Sequence, residues 1–176
     1  MRANKWLFLI IWLTAVIPMV IAWSMAYLGD DLDLNTRNYG ELAPAGISVP
    51  DTLQTHFAGK WGLVVLSQDC NSHCENQLYR LRQLHTALGR DIDRIHSVWL
   101  SDQPVTPPDT LALKHVATLT APTVLNWFNQ QNLHWQDQGI WLVDPNGILV
   151  MRFPPTLKGK QILSDLHWLL KTSQVG

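Results

Sequence analysis

The chain has 176 residues, room for one domain plus an attachment. Its 13 Lys and Arg against 14 Asp and Glu give a formal charge of −1. The basic residues are scattered rather than gathered in a stripe, so no nucleic-acid partner is expected.

Residues 1–5 carry Arg2 and Lys5, and Trp6 to Leu28 then runs for 23 residues without a charge. That length suffices to cross a hydrocarbon core of about 30 Å. Trp6, Trp23 and Tyr27 fall near its ends, where amphipathic rings favour the membrane interface. Pro18 is tolerable, since helices in lipid accept proline. A cleaved signal peptide with Ser24-Met25-Ala26 as its site is the competing reading, but the apolar run is longer than such peptides use. Residues 6–28 are therefore expected to be an uncleaved anchor. Asp30, Asp31 and Asp33 follow the run, so the positive-inside rule keeps residues 1–5 cytoplasmic and exports the rest. In a bacterium this is a single-pass inner-membrane protein with its C-terminal domain in the periplasm, where a cysteine pair can cycle or stay oxidised.

Residues 29–50 are polar and turn-rich and predict a linker, with Asn38 to Leu42 as one short ordered piece; residues 51–176 are then the folded domain. Leu63 to Leu66 is the kind of apolar run found in a strand buried on both faces. Ser72 and Glu75 have capping-box spacing, which starts a helix at Ser72. Leu78, Leu81, Leu84 and Leu88 share a face of that helix, and Gly89 ends it. Ile95 to Leu100 predicts a second strand, giving a parallel strand-helix-strand crossover. Thr106-Pro107-Pro108-Asp109 predicts a helix start, followed by Leu111, Leu113, Val116 and Leu119. Pro122 predicts another helix through Trp127 and Phe128. Ile140–Val143 and Ile148–Phe153 flank Asp144-Pro145-Asn146-Gly147, a hairpin pattern. Ile162, Leu163, Leu166, Leu169 and Leu170 form the apolar stripe of a last helix. This order is that of an α/β thioredoxin-like fold, a central mixed sheet flanked by helices, preceded by one transmembrane helix.

The chain's two cysteines, Cys70 and Cys74, sit where the first strand passes into the first domain helix, with His73 between them. A thiol pair there suits redox exchange or soft-metal binding. A cysteine at a helix N-terminus beside a histidine is expected to have a lowered pKa, with Asp69 and Glu75 opposing. Cys70, outside the helix, is the candidate nucleophile; Cys74 is the resolving partner. The bland alternative is a structural disulfide, although a loop of three intervening residues constrains little of the unfolded chain.

The strand ending in Cys-x-x-x-Cys, the long helix, the insertion, the Ile140-Trp141-Leu142-Val143-Asp144-Pro145-Asn146-Gly147 hairpin and the closing helix resemble Sco/SenC proteins. The likeness covers residues 55–172 and the anchor, and is greatest to the short Sco-like membrane proteins associated with bacterial cytochrome c oxidase assembly. The resemblance implies a membrane-anchored thioredoxin fold that delivers or reduces copper, with an oxidase subunit or its assembly factors as partner and Cu(I) on Cys70 and Cys74. The family's third ligand is a histidine nine residues before the hairpin glycine. Here that position is Gln138, followed by Gly139. His134, four residues upstream, would serve only if its loop bends back; His73 is the other substitute. The cis-proline of thioredoxins is likewise missing near Gln138. Ala121-Pro122-Thr123 imitates that motif but lies too early in the chain.

Three readings stay open: a Sco-type assembly factor acting by Cu(I) binding or thiol reduction, a general periplasmic thiol-disulfide oxidoreductase, and a non-catalytic scaffold with a permanent disulfide. Among other residues, Trp61, Trp99, Trp141 and Trp168 are expected in the core, with Trp127 and Trp135 as contact candidates. Asp69 and Asp102, at the polar ends of adjacent strands, are expected to cap turns, with lining the site as the alternative. His56, His85 and His167 are expected to be solvated.

Overall fold

A computed structural model of the chain describes residues 3–28, 38–57, 59–104 and 113–173. The chain divides into two compact units, residues 1–37 and 38–176. The first contains helix α1, Ala3–Leu28, with Pro18 inside it. Its stretch Lys5–Ser24 has a mean hydropathy of 2.3 and is long and apolar enough to cross a membrane.

The second unit is built on strand β2, Trp61–Ser67, all of whose residues are buried. Alternation along a strand sends Leu63 and Val65 to one face and Val64 and Leu66 to the other, and each face is covered by its own core. On the first face, helices α3 (Ser72–Ala87) and α5 (Gly159–Thr172) supply Leu78, Leu81, Leu84, Ile162, Leu166 and Leu170. On the second, the short helix α2 (Asp51–Gln54) and α4 (Pro122–Gln130) supply Leu53, Val124, Leu125 and Phe128. Strand β3 (Ile95–Ser101) pairs parallel to β2, and β4 (Val116–Thr120) pairs parallel to β3. On the other side β5 (Ile140–Val143) runs antiparallel to β2, followed by β6 (Leu149–Phe153) and β1 (Glu41–Leu42). The sheet order is β1-β6-β5-β2-β3-β4. It is the thioredoxin-like arrangement of a mixed sheet between helices.

The hairpin is held as its sequence requires. Asp144 Oδ1 accepts from the amides of Asn146 and Ile148 at 2.9 and 2.7 Å, and Gly147 takes φ +83°. Arg80 ties α3 to the segment before α5 by donating to the carbonyls of Pro155 and Leu157; its burial lowers the guanidinium pKa.

Several expectations are corrected. Val116 and Leu119 lie in strand β4, not in a helix; the proposed helix start at 106–109 lies outside the described residues. Apolar spacing alone does not separate a short edge strand from a helical turn. Trp168 is 61% exposed, because the buried face of α5 is Ile162, Leu166 and Leu170 and residue 168 points away from it. Trp135 is buried, its indole N–H donating to Asn129 Oδ1 at 2.8 Å. His85, also buried, follows Leu81 by four residues and so falls on the core side of α3.

The segment read as a linker divides. Residues 29–37 lie outside the described residues, while 38–50 is fastened to the sheet. Beyond the β1 pairing, Ser48 bridges Ile148 and Val49 is buried. The buried Asp165 carboxylate on α5 accepts from the amides of Tyr39 and Gly40 at 2.7 and 2.9 Å. Asp165→Ala leaves both donors without that acceptor. It is expected to cost about 2–3 kcal/mol, read as a lower urea midpoint at unchanged m-value, with Asp165→Asn in between.

Candidate functional site

The fully buried β2 ends at Ser67, and Gln68, Asp69 and Cys70 carry the chain out of the sheet to α3. Helix α3 begins at Ser72, as its sequence predicts, but the cap is different. Asn71, with extended backbone, accepts from the amides of His73 and Cys74 at 3.0 and 3.1 Å through its side-chain oxygen. Ser72 is already helical, so a Ser72–Glu75 capping box does not form. The amide oxygen of Asn71 reaches the free N–H groups from one residue earlier.

This cap places the two cysteines differently. Cys70 stands before the helix and is half-buried; Cys74 is in the first turn and fully buried in the first core. They are joined as a disulfide, with Cα atoms 5.1 Å apart. Beneath Cys74 is a polar pair that the sequence did not disclose. Trp99 Nε1 lies 2.7 Å from Ser67 Oγ, and Ser67 Oγ lies 3.7 Å from Cys74 Sγ. An indole N–H can only donate, so the serine oxygen accepts from it. A disulfide sulfur can only accept, so the serine proton is left to face sulfur. The one clue in the sequence was a serine closing an otherwise apolar strand.

The loop before β5 closes over the same turn. His73 is exposed, and its Nε2 lies 3.1 Å from the carbonyl oxygen of Asp137. A carbonyl accepts, so Nε2 carries the proton and is not a free electron pair. Asp137 also accepts from the amide of Gly139 at 3.2 Å and pairs with Arg152, which in turn pairs with Glu41 on β1. A Cβ at residue 139 would stand 2.9 Å from the Phe153 carbonyl, so glycine is needed there. Gln138 takes φ +56°, a region few residues other than glycine occupy. Its side chain is buried, with Oε1 lacking a partner among the described residues. The structure thus brings the carbonyl of Asp137 to His73 in the cysteine turn, one residue before the position where the resemblance expects a ligand.

His134 is exposed on that loop, and Asp69 and Asp102 are exposed at the ends of their strands. With the pair oxidised, no three His, Cys, Asp or Glu side chains among the described residues gather as an ion would require. Reduced, the pair offers two thiolates. This donor set fits Cu(I), which accepts low coordination by soft sulfur, while the amide of Gln138 gives Cu(II) no imidazole.

Residues 61–173 match the family described as "Transmembrane-like, thioredoxin-like, C-terminal domain". No curated protein sequence matches. Among solved structures, the chain is similar to Bradyrhizobium japonicum ScoI with copper bound (20% identity, TM-score 0.51, 65% of this chain and 88% of that one). It is also similar to yeast Sco1 (14%, TM-score 0.55, 68% and 85%). A thiol:disulfide interchange protein from a Bacteroides species aligns too (18%, TM-score 0.50, 77% and 91%). At these identities the likeness is one of fold.

The Ser67 hydroxyl stabilises a thiolate on Cys74 more than it stabilises the disulfide, so losing it disfavours the reduced form. Ser67→Ala is expected to lower the reduction potential by about 30 mV, equivalent to about 1.4 kcal/mol for two electrons and of the size of one hydrogen bond. Trp99→Phe is expected to move it the same way. Equilibration against a glutathione redox buffer measures both, and an unmoved potential would mean that Ser67 only fills space.

Proposed function

Since the chain belongs to the family of transmembrane-like, thioredoxin-like C-terminal domains, we propose that it works as a membrane-anchored thiol-disulfide exchange protein of the Sco type. Its target would be the oxidised copper-ligating cysteines of a cytochrome c oxidase subunit, or an assembly factor that serves them. The observation that carries this reading is the unequal exposure of the pair: Cys70 is reachable from solvent and Cys74 is not. In the reduced protein, the Cys70 thiolate attacks one sulfur of the target disulfide. That bond breaks, one target thiolate leaves, and a mixed disulfide joins Cys70 to the target. Cys74, deprotonated in its turn, attacks Cys70 Sγ. The Cys70–Cys74 bond forms, and the second target thiolate leaves. The target has gained two electrons and the pair has lost two, so an external dithiol must reduce it again. Arg2 and Lys5 before the apolar run and Asp30, Asp31 and Asp33 after it support an orientation with the domain on the periplasmic side of a bacterial inner membrane.

Copper enters this reading as cargo. Cys70 and Cys74 alone hold Cu(I) in the reduced protein. His73 keeps its Nε2 proton on the Asp137 carbonyl, and neither it nor His134 is needed as a ligand. A general oxidoreductase would use the same chemistry on other targets, and a scaffold would keep its disulfide permanently.

Cys74→Ser is expected to trap a mixed disulfide with an oxidised two-cysteine peptide, whereas Cys70→Ser is not. The wild-type potential is expected above about −300 mV; a lower value with no trapped species would identify a structural disulfide and favour the scaffold.

Restoring imidazole separates the copper variants of the reading. Gln138→His is expected to tighten Cu(II) binding by about tenfold or more, while Cu(I) affinity changes little, since sulfur dominates it. Competition titration and the Cu(II) spin-resonance spectrum measure this. Tight Cu(II) binding by the natural chain through an imidazole would count against a two-sulfur site.

A further inference from the structure

Strands β2, β3 and β4 run parallel, and the cysteine pair follows the end of β2. At the opposite end, where these strands begin, lies a cavity of about 570 Å³. A seven-residue strand at about 3.3 Å per residue puts roughly 20 Å between the two ends. Four of the chain's seven histidines line this cavity: His56, His85, His96 and His115. Lys60 and Lys114 join them, and Asp93 is the one acidic side chain among the described residues of the wall.

Two buried polar atoms in that wall lack partners among the described residues, His85 Nδ1 and Ser97 Oγ; their residues are 8% and 2% exposed. The His85 and His115 rings are stacked, centroids 4.7 Å apart and 20° from parallel. His96 Nδ1 lies 2.9 Å from the His56 carbonyl, which can only accept, so that nitrogen is protonated.

We propose that this cavity is a binding site for a small molecule carrying a phosphate group. Four imidazoles and two ammonium groups line it, from α3, β3, the turn before β4 and the segment before β2. A phosphate dianion offers each an acceptor oxygen. The cavity lies within the range of small-molecule sites, with room for the organic part beside the anion. A transition-metal ion fits less well. Lys60 and Lys114 repel it, and stacked imidazoles direct their in-plane lone pairs side by side rather than toward one point.

The site should bind more tightly as pH falls. Burial foremost, then His115 and His96, hold the His85 imidazole below its ordinary pKa, with Asp93 acting the other way. A bound dianion counters that repulsion and favours the protonated form of His85. Affinity therefore grows on acidification, until the phosphate itself becomes a monoanion.

The test uses the full chain in detergent micelles, with O-phosphoserine, whose phosphate has a second pKa of about 6, as probe and chloride at matched ionic strength as control. The probe near pH 6.5 is expected to shift the imidazole resonances of His85, His96 and His115 saturably, with binding weaker by about tenfold near pH 8. The double variant Lys60→Gln/Lys114→Gln should lose about tenfold in affinity with its thermal midpoint unchanged. Equal shifts in chloride, shifts indifferent to the lysines, or saturation by Zn(II) with none by O-phosphoserine would each overturn the assignment.

Discussion

Everything in the second unit is arranged around a strand that has no solvent face. All seven residues of β2 are buried, with Leu63 and Val65 in one core and Val64 and Leu66 in the other. Such a strand must have a paired neighbour on each edge and a helical layer on each face, since any uncovered backbone or apolar surface would be unfavourable. Its side chains leave no room for chemistry along its length. Polar function is confined to its ends, where the chain leaves the sheet.

At the C-terminal end that departure is governed by Asn71. By accepting two amides it starts α3 immediately after the turn, which leaves Cys70 outside and buries Cys74. Ser67 and Trp99 then give the buried sulfur a polar neighbour in an otherwise apolar core. One cysteine faces solvent and the other a shielded hydrogen-bond donor. The proposed roles of Cys70 as attacking and Cys74 as resolving thiol rest on this asymmetry.

Arg152 connects this turn to the rest of the chain. From β6 it pairs with Glu41 on the edge strand and with Asp137, whose carbonyl meets His73, while its guanidinium lies 5.9 Å from the Trp141 ring centroid. The start of the second unit, at Glu41, is thus joined through one cation to the loop over the cysteines. With a side chain only 13% exposed, Arg152 is less screened by solvent than a surface pair, and two carboxylates offset its burial.

The elements readable from sequence were those whose information is local. The apolar run of α1, the leucine spacing of α3, the Asn-Gly hairpin and the Cys70–Cys74 junction each announce themselves within a few residues, because helix period, turn geometry and cap chemistry act over that distance. Tertiary structure decided what depends on partners far along the chain. The segment 38–50 belongs to the sheet because Asp165 and β6 receive it, and Val116–Thr120 is a strand because β3 offers it an edge. Trp135 turns inward because Asn129 accepts its N–H, and Trp168 outward because its helix buries another face. His85, His96 and His115 are unremarkable singly in the sequence; parallel strands bring their beginnings to one end of the sheet, and only there do the three rings share a cavity. Local pattern specified the elements, and the free energy of covering both faces of β2 specified which of their side chains meet.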